Sequence, residues 1–175
     1  MGPELRKITL GIDPGSRITG YGLVVEEAGT LSCLDFGILK GESKAPLAER
    51  LLEIGQGLQN IFLKHQPHAV AIEKTFFAKN VDSVTKLGHA RGVCLYEAAR
   101  AQVPVFEYSP TEIKLNIVGH GRAGKDQVQI LVRQILRLKS VEMSTFDMSD
   151  ALALAIHHCR IWTTLKKMRE REITT

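Results

Sequence analysis

Four acidic residues stand where acids can do chemistry: Asp13, Glu73, Asp147 and Asp150. Asp13 closes the alternating run Lys7–Asp13, in which Ile8, Leu10 and Ile12 share one face and Thr9, Gly11 and Asp13 the other. Glu73 closes the short run His68–Glu73 and shares its face with Ala69 and Ala71. A stripe of small residues ending in an acid leaves room for a helix to pack closely, with the carboxylate at the stripe's end. On neighbouring strands the two acids would lie about 5 Å apart, and two anions so placed repel strongly unless a cation or a shared proton intervenes. Asp147 and Asp150 stand three apart at the start of the apolar run Ala151–Ile156, so both can face the same way one helical turn apart. Taken singly, each acid has an ordinary explanation: a strand-end Asp can make a turn, and acids in a first helical turn complement the helix dipole. Together they form an all-oxygen set suited to hard divalent ions such as Mg²⁺ or Mn²⁺. Two such ions about 3.5–4 Å apart can activate a water and stabilise the leaving oxygen of a phosphodiester.

The charge pattern adds a substrate signal. Lys and Arg number 23 against 19 Asp and Glu, a net +4. Between Lys114 and Lys139 stand six basic residues (Lys114, Arg122, Lys125, Arg133, Arg137 and Lys139) and one acid, Asp126. Such a stretch is either a footprint for a phosphate backbone or a solvated helix face. Phe76 and Phe77 lie between Lys74 and Lys79; aromatics flanked by cations suit stacking on unpaired bases, while one ring, more readily Phe77, could equally pack into the core. Gly88 and Gly92, four apart on a helix, allow another helix to approach closely, inside the chain or across a two-fold axis. His157 follows Asp150 by seven residues, which places it about 10 Å further along the helix and outside ligand range.

These residues need a scaffold. At 175 residues the chain reads as a single domain, with a core over about 8–161 and a basic end over 162–175. A 44% hydrophobic and 24% charged composition excludes a disordered tail, a collagen-like repeat and a coiled coil. No apolar stretch approaches the roughly 20 residues of a membrane helix. The first residues lack the apolar region of a secretory signal, and Arg6 breaks the myristoylation pattern. Cys33, Cys94 and Cys159 are odd in number and scattered, which argues against a disulfide framework. The expectation is a cytoplasmic protein with no membrane attachment.

The elements read β-β-β-α-β-α-β-α-α-α. Strands are expected over Lys7–Asp13, Tyr21–Glu26, Leu31–Leu39, His68–Glu73 and Val103–Tyr108, with helices over Pro46–Leu63 and Val81–Ala101. Ser109-Pro110-Thr111-Glu112 opens a further helix as a capping box. Strands first consecutive, then alternating with helices, predict an α/β fold: a five-stranded mixed sheet with helices on both faces. Strands one and four should be parallel neighbours, so that their carboxyl ends form a topological switch point.

Several motifs resemble those of RuvC-type Holliday-junction resolvases: Gly11–Gly22 (GIDPGSRITGYG), Ala71–Glu73 followed by Phe77–Asn80 (FAKN), Lys86–Gly92 (KLGHARG) and Asp147–Ile156 (DMSDALALAI). They occur in family order across nearly the full chain. The resemblance implies a ribonuclease-H-like fold and a homodimer that nicks two strands of a four-way DNA junction in recombination and repair. It also implies two Mg²⁺ per subunit, with Mn²⁺ as a substitute, and the RuvA–RuvB branch-migration complex as partner. It puts the family's acidic tetrad on Asp13, Glu73, Asp147 and Asp150; some members carry His at the third position. The catalytic basic pair falls on Lys114 and Lys125 and the base-stacking aromatic on Phe76, with Phe77 adjoining; Lys79 and Arg122 complete the DNA contacts. Three other readings compete. A ribonuclease for RNA–DNA hybrids shares the fold and chemistry, and a junction binder without catalysis shares the substrate. The glycine-rich start also suggests the phosphate loop of actin-like ATPases, although the chain is too short for their two lobes.

Overall fold

The first strand is the middle of the sheet. In the computed structural model, which describes residues 6–74, 81–139, 143 and 145–173 and the last helix's side chains to residue 162 and at 164, β1 (Lys7–Asp13) pairs with β2 (Thr19–Glu27) antiparallel and with β4 (Ala69–Glu73) parallel. β3 (Thr30–Leu39) closes one edge and β5 (Val105–Tyr108) the other, giving the order β3-β2-β1-β4-β5. The chain order of strands and helices is the expected one. Boundaries moved by a few residues. β2 begins at Thr19 rather than Tyr21, because the Thr19 hydroxyl donates to the Gly15 carbonyl (3.0 Å) and accepts from the Gly15 N–H (3.3 Å). That closed turn sets Gly20 opposite Asp13.

The alternation in β1 divides the core in two. Leu10 and Ile12, with Val70 and Ile72 of β4, face α1 (Leu47–His65) and α2 (Val81–Arg100) and pack on Ile54, Leu58, Cys94 and Ala98. On the other face Val24 and Ala71 meet α3 (Pro110–Val118), α4 (Lys125–Leu136) and α5 (Phe146–Ile173). Residues Ala151–Ile156 of α5 are fully buried on every side, as an unbroken apolar stretch must be when sheet and helices surround it.

Close approach of α5 to the sheet depends on glycine. A Cβ on Gly11 would fall 1.9 Å from the Ala151 carbonyl oxygen, and one on Gly20 would fall 2.1 Å from that of Asp147. The small-residue stripe of β1 therefore works as expected. Gly20 and Gly22 do not cradle a phosphate; both are covered by α5, Gly22 by Leu152. Gly88 and Gly92 give the opposite result: among the described residues, an added Cβ would meet nothing within 4 Å at either. Among the described residues, no helix is long and apolar enough to cross a membrane.

Candidate active site

Asp13 and Glu73 end the two parallel central strands. Pairing runs from Thr9 opposite Ala69 to Ile12 opposite Ile72, and one further step sets Asp13 beside Glu73. From above, α5 brings Asp147 in its first turn, against Gly20, and Asp150 three residues further on. The third wall is α3, started by a full capping box: the Glu112 N–H donates to Ser109 Oγ at 3.3 Å, and the Ser109 N–H donates to Glu112 Oε2 at 2.7 Å. That box fixes the turn carrying Lys114. The first residue of α4 is Lys125, placed as the Gly124 N–H donates to Gln127 Oε1 at 3.0 Å.

These elements enclose a cleft of about 220 Å³ lined by Asp13, Glu73, Asp150, Lys114 and Lys125, backed by the apolar surface of Ile113, Val128 and Ala153. Asp147 does not line it, yet its charge reaches Asp13. Burial, followed by the charges of Asp150, Glu73 and Asp147, pushes the Asp13 carboxyl up to about 7, against the opposing pull of Lys125. Burial and Asp150 likewise raise Glu73, while Lys125 and Lys114 lower it. Burial disfavours the charged Lys125, but its hydrogen bond and ion pair to Asp150 Oδ2 (3.0 Å), with the charges of Asp13 and Asp147, hold its pKa above the ordinary lysine value. The site is a partly dry acidic centre whose nearest counter-charge is one lysine.

Such a donor set fits a hard divalent cation: carboxylate oxygens alone, with a central acid that resists ionising without a neighbouring positive charge. The expected four-carboxylate cage is nevertheless not closed. Among the described residues, no group of three or more His, Cys, Asp or Glu side chains stands close enough to hold a metal ion.

Other expected residues separate. Arg122 is exposed between α3 and α4 and does not line the cleft. Arg133, part of the basic stretch, points inward and donates to the Met143 carbonyl at 2.9 Å, so that stretch is not one uniform phosphate-binding face. Phe76, Phe77 and Lys79 lie outside the described residues. His157 is buried edge-on against Tyr108, and neither ring nitrogen has a hydrogen-bond partner among the described residues; it does not line the acidic cleft. Sequence reasoning missed Arg91, which lies within the KLGHARG segment and reaches the Glu73 carbonyl from α2. A lone arginine in the middle of a surface helix gives no signal of that contact.

A central five-stranded sheet ordered 3-2-1-4-5, with acids at the ends of β1 and β4 and at the head of the last helix, defines the ribonuclease-H-like class of α/β nucleases. The family described as crossover junction endodeoxyribonuclease RuvC matches residues 9–158. Proteins of that name from Syntrophotalea carbinolica (48% identical over 149 residues; 85% of this chain, 91% of the relative) and Protochlamydia amoebophila (44% over 154 residues; 88% and 91%) are similar along their length. The Thermus thermophilus RuvC in complex with a Holliday junction substrate superposes with a TM-score of 0.81 at 35% identity, covering 87% of this chain and 93% of that one. The yeast mitochondrial Holliday junction resolvase Ydc2 shares the fold (TM-score 0.67, 16% identity; 96% and 85% covered). The chain belongs to the RuvC family of crossover junction endodeoxyribonucleases.

Proposed function

We propose that the protein is a metal-dependent endonuclease that resolves four-way DNA junctions by paired nicks, acting in recombination and repair in the cytoplasm as a single nuclease domain. The observation that carries this reading is the cleft where Asp13, Glu73 and Asp150 converge with Lys114 and Lys125. Asp13, Glu73, Asp147 and Asp150 are the residues that would hold two Mg²⁺ ions, or Mn²⁺ in their place. Ions bound there supply an activated water and charge stabilisation at the leaving oxygen. Asp13, whose carboxyl is raised to about 7 by burial and three neighbouring acids, would depend most on the positive charge such ions would bring. Lys114 and Lys125 sit across the cleft from β1 and place positive charge where the scissile phosphate gains negative charge. Lys125 must leave Asp150 to do so. Phe76 or Phe77 stacks on bases at the branch point, and Lys79 and Arg122 contact the phosphate backbone, Arg122 from outside the cleft.

Resolution of a junction takes two nicks, and two-fold symmetry supplies two identical sites. The exposed α2 face around Gly88 and Gly92, where no described residue lies within 4 Å of an added Cβ, is the candidate contact between two copies. By family resemblance, the RuvA–RuvB complex is the partner that presents the junction.

The deciding experiment compares a mobile four-way junction, a linear duplex and an RNA–DNA hybrid, each with and without Mg²⁺. Symmetric nicks in the junction alone, dependent on the metal, are expected. Preferential cutting of the hybrid, or tight junction binding with no nick in either metal, overturns the proposal.

A further inference from the structure

The peptide unit that follows Glu73 is gripped at both of its polar groups. Its N–H, from Lys74, donates to the Tyr108 carbonyl of β5 at 2.8 Å. Its C=O, from Glu73, accepts from Arg91 Nε of α2 at 3.4 Å. Fixing this plane fixes the backbone rotation that aims the Glu73 side chain, since only two soft dihedrals per residue are free. Arg91 is itself held: its Nη2 stands 2.9 Å from Glu107 Oε2, and its side chain is 17% exposed. Glu107 lies on β5 opposite Ile72 and so shares the α2 face of the sheet. One guanidinium thus spans α2, β4 and β5 beside the end of the strand that carries the acid. A fork of several N–H donors can serve two acceptors at once, whereas an ammonium is a single point charge.

We propose that Arg91 is a positioning residue for Glu73: by holding the Glu73 carbonyl while anchored to Glu107, it keeps the carboxylate beside Asp13, in place for a divalent cation. This rests on the nuclease reading above and concerns geometry rather than binding. Arg91 also lies between Gly88 and Gly92, so the helix face offered to a second copy and the clamp on Glu73 belong to the same two turns.

The test uses Arg91→Met, which keeps much of the aliphatic stem, and Arg91→Lys, which keeps the charge opposite Glu107 but cannot also reach the carbonyl. Four readouts are taken on the full chain: single-turnover nicking, junction affinity without divalent metal, Mn²⁺ binding by calorimetry without DNA, and thermal midpoint. Arg91→Met is expected to lose about 10- to 100-fold in nicking rate and about tenfold in Mn²⁺ affinity, as supporting groups behind metal ligands do, with junction affinity changed less than about threefold. Arg91→Lys should keep the thermal midpoint yet remain at least about tenfold slow. A lysine variant at the wild-type rate would reduce Arg91 to an ion-pair partner and overturn the proposal, and so would a methionine variant with wild-type rate and Mn²⁺ affinity. If Arg91→Met does not fold, the lysine variant decides. Failure of the unaltered protein to nick in either metal is a different result, and it counts against the nuclease reading itself.

Discussion

Adding one methyl group to Gly20 should disable the site without replacing any of its acids or lysines. The new Cβ would sit 2.1 Å from the Asp147 carbonyl oxygen and 3.1 Å from the Asp147 Cβ. Ordinary carbon–oxygen contact is about 3.4 Å, so the head of α5 and β2 must part by roughly 1 Å. A Cβ has no rotamer, and the atom it meets first is a main-chain carbonyl oxygen, so no side-chain turn relieves the contact. Asp147 and Asp150 move with the helix, away from Asp13 and Glu73. A displacement of about 1 Å at reacting groups costs about 100-fold in rate, and overpacking of this kind costs about 1–3 kcal/mol in stability. For a chain of this size that lowers the thermal midpoint by about 3–10 °C. Single-turnover nicking of a four-way junction, paired with a thermal melt, reads both effects. Gly57→Ala is the matched control. Its Cβ would meet the Leu39 side chain at 2.7 Å, but that neighbour can turn aside, and the gain in helix propensity of up to about 1 kcal/mol offsets the crowding. Its rate should stay unchanged. A Gly20→Ala protein that nicks within about threefold of the unaltered one would refute the idea that α5 is seated by the missing side chain.

Asp13→Asn should abolish nicking yet keep or improve junction binding, because it removes a metal ligand and a negative charge together; more than a tenth of the normal rate, measured alongside gel-shift affinity, contradicts its central role. Lys114→Ala and Lys125→Ala should lose rate far more than affinity, and equal losses in the two assays would reduce either lysine to a backbone contact. Gly92→Leu should weaken dimerisation in sedimentation and paired nicking together, with little change in thermal midpoint since none of the described residues lies within 4 Å of the new side chain's root; a folded, dimeric, fully active variant removes α2 from the interface. His158, pushed down to about 4 by burial, His157 and Lys7, shares a hydrogen bond of 2.7 Å between its Nδ1 and the Tyr108 hydroxyl. Its neutral form is favoured by folding, so stability is full above the unfolded pKa of about 6.5. On acidification from there to about 4 the unfolded chain alone takes the proton, and about 2 kcal/mol is lost after allowance for solvent screening. Urea melts from pH 7 to pH 4 should show this slope in the unaltered protein and a shallower one in His158→Gln; identical slopes would refute it.

What the sequence disclosed, and what it hid, follows from the range of the interactions. β1 was legible residue for residue because alternation is a local signal: Leu10 and Ile12 enter one core, while Gly11 lies under α5 on the other. The capping box at Ser109 was equally legible, its partners being three residues apart. Asp13 and Glu73 could be placed side by side from sequence because each ends a strand, and the ends of parallel neighbours coincide. Contacts decided by how separate elements dock were not legible. Arg133 sat within a basic run and read as a surface charge, yet it turns inward to the Met143 carbonyl. Lys125 read as a substrate contact, yet without substrate it pairs with Asp150, 25 residues away. Gly20 and Gly22 resembled a phosphate loop in composition, but the helix that covers them begins more than a hundred residues later. The same limit explains Arg91. Its motif was visible, but its task is to hold a carbonyl on a strand 18 residues back, and main-chain acceptors leave no trace in side-chain patterns. The chemistry of this site is therefore written locally, in the acids, while its precision depends on groups whose identity alone says nothing: two glycines that admit a helix and one arginine that fixes a peptide plane.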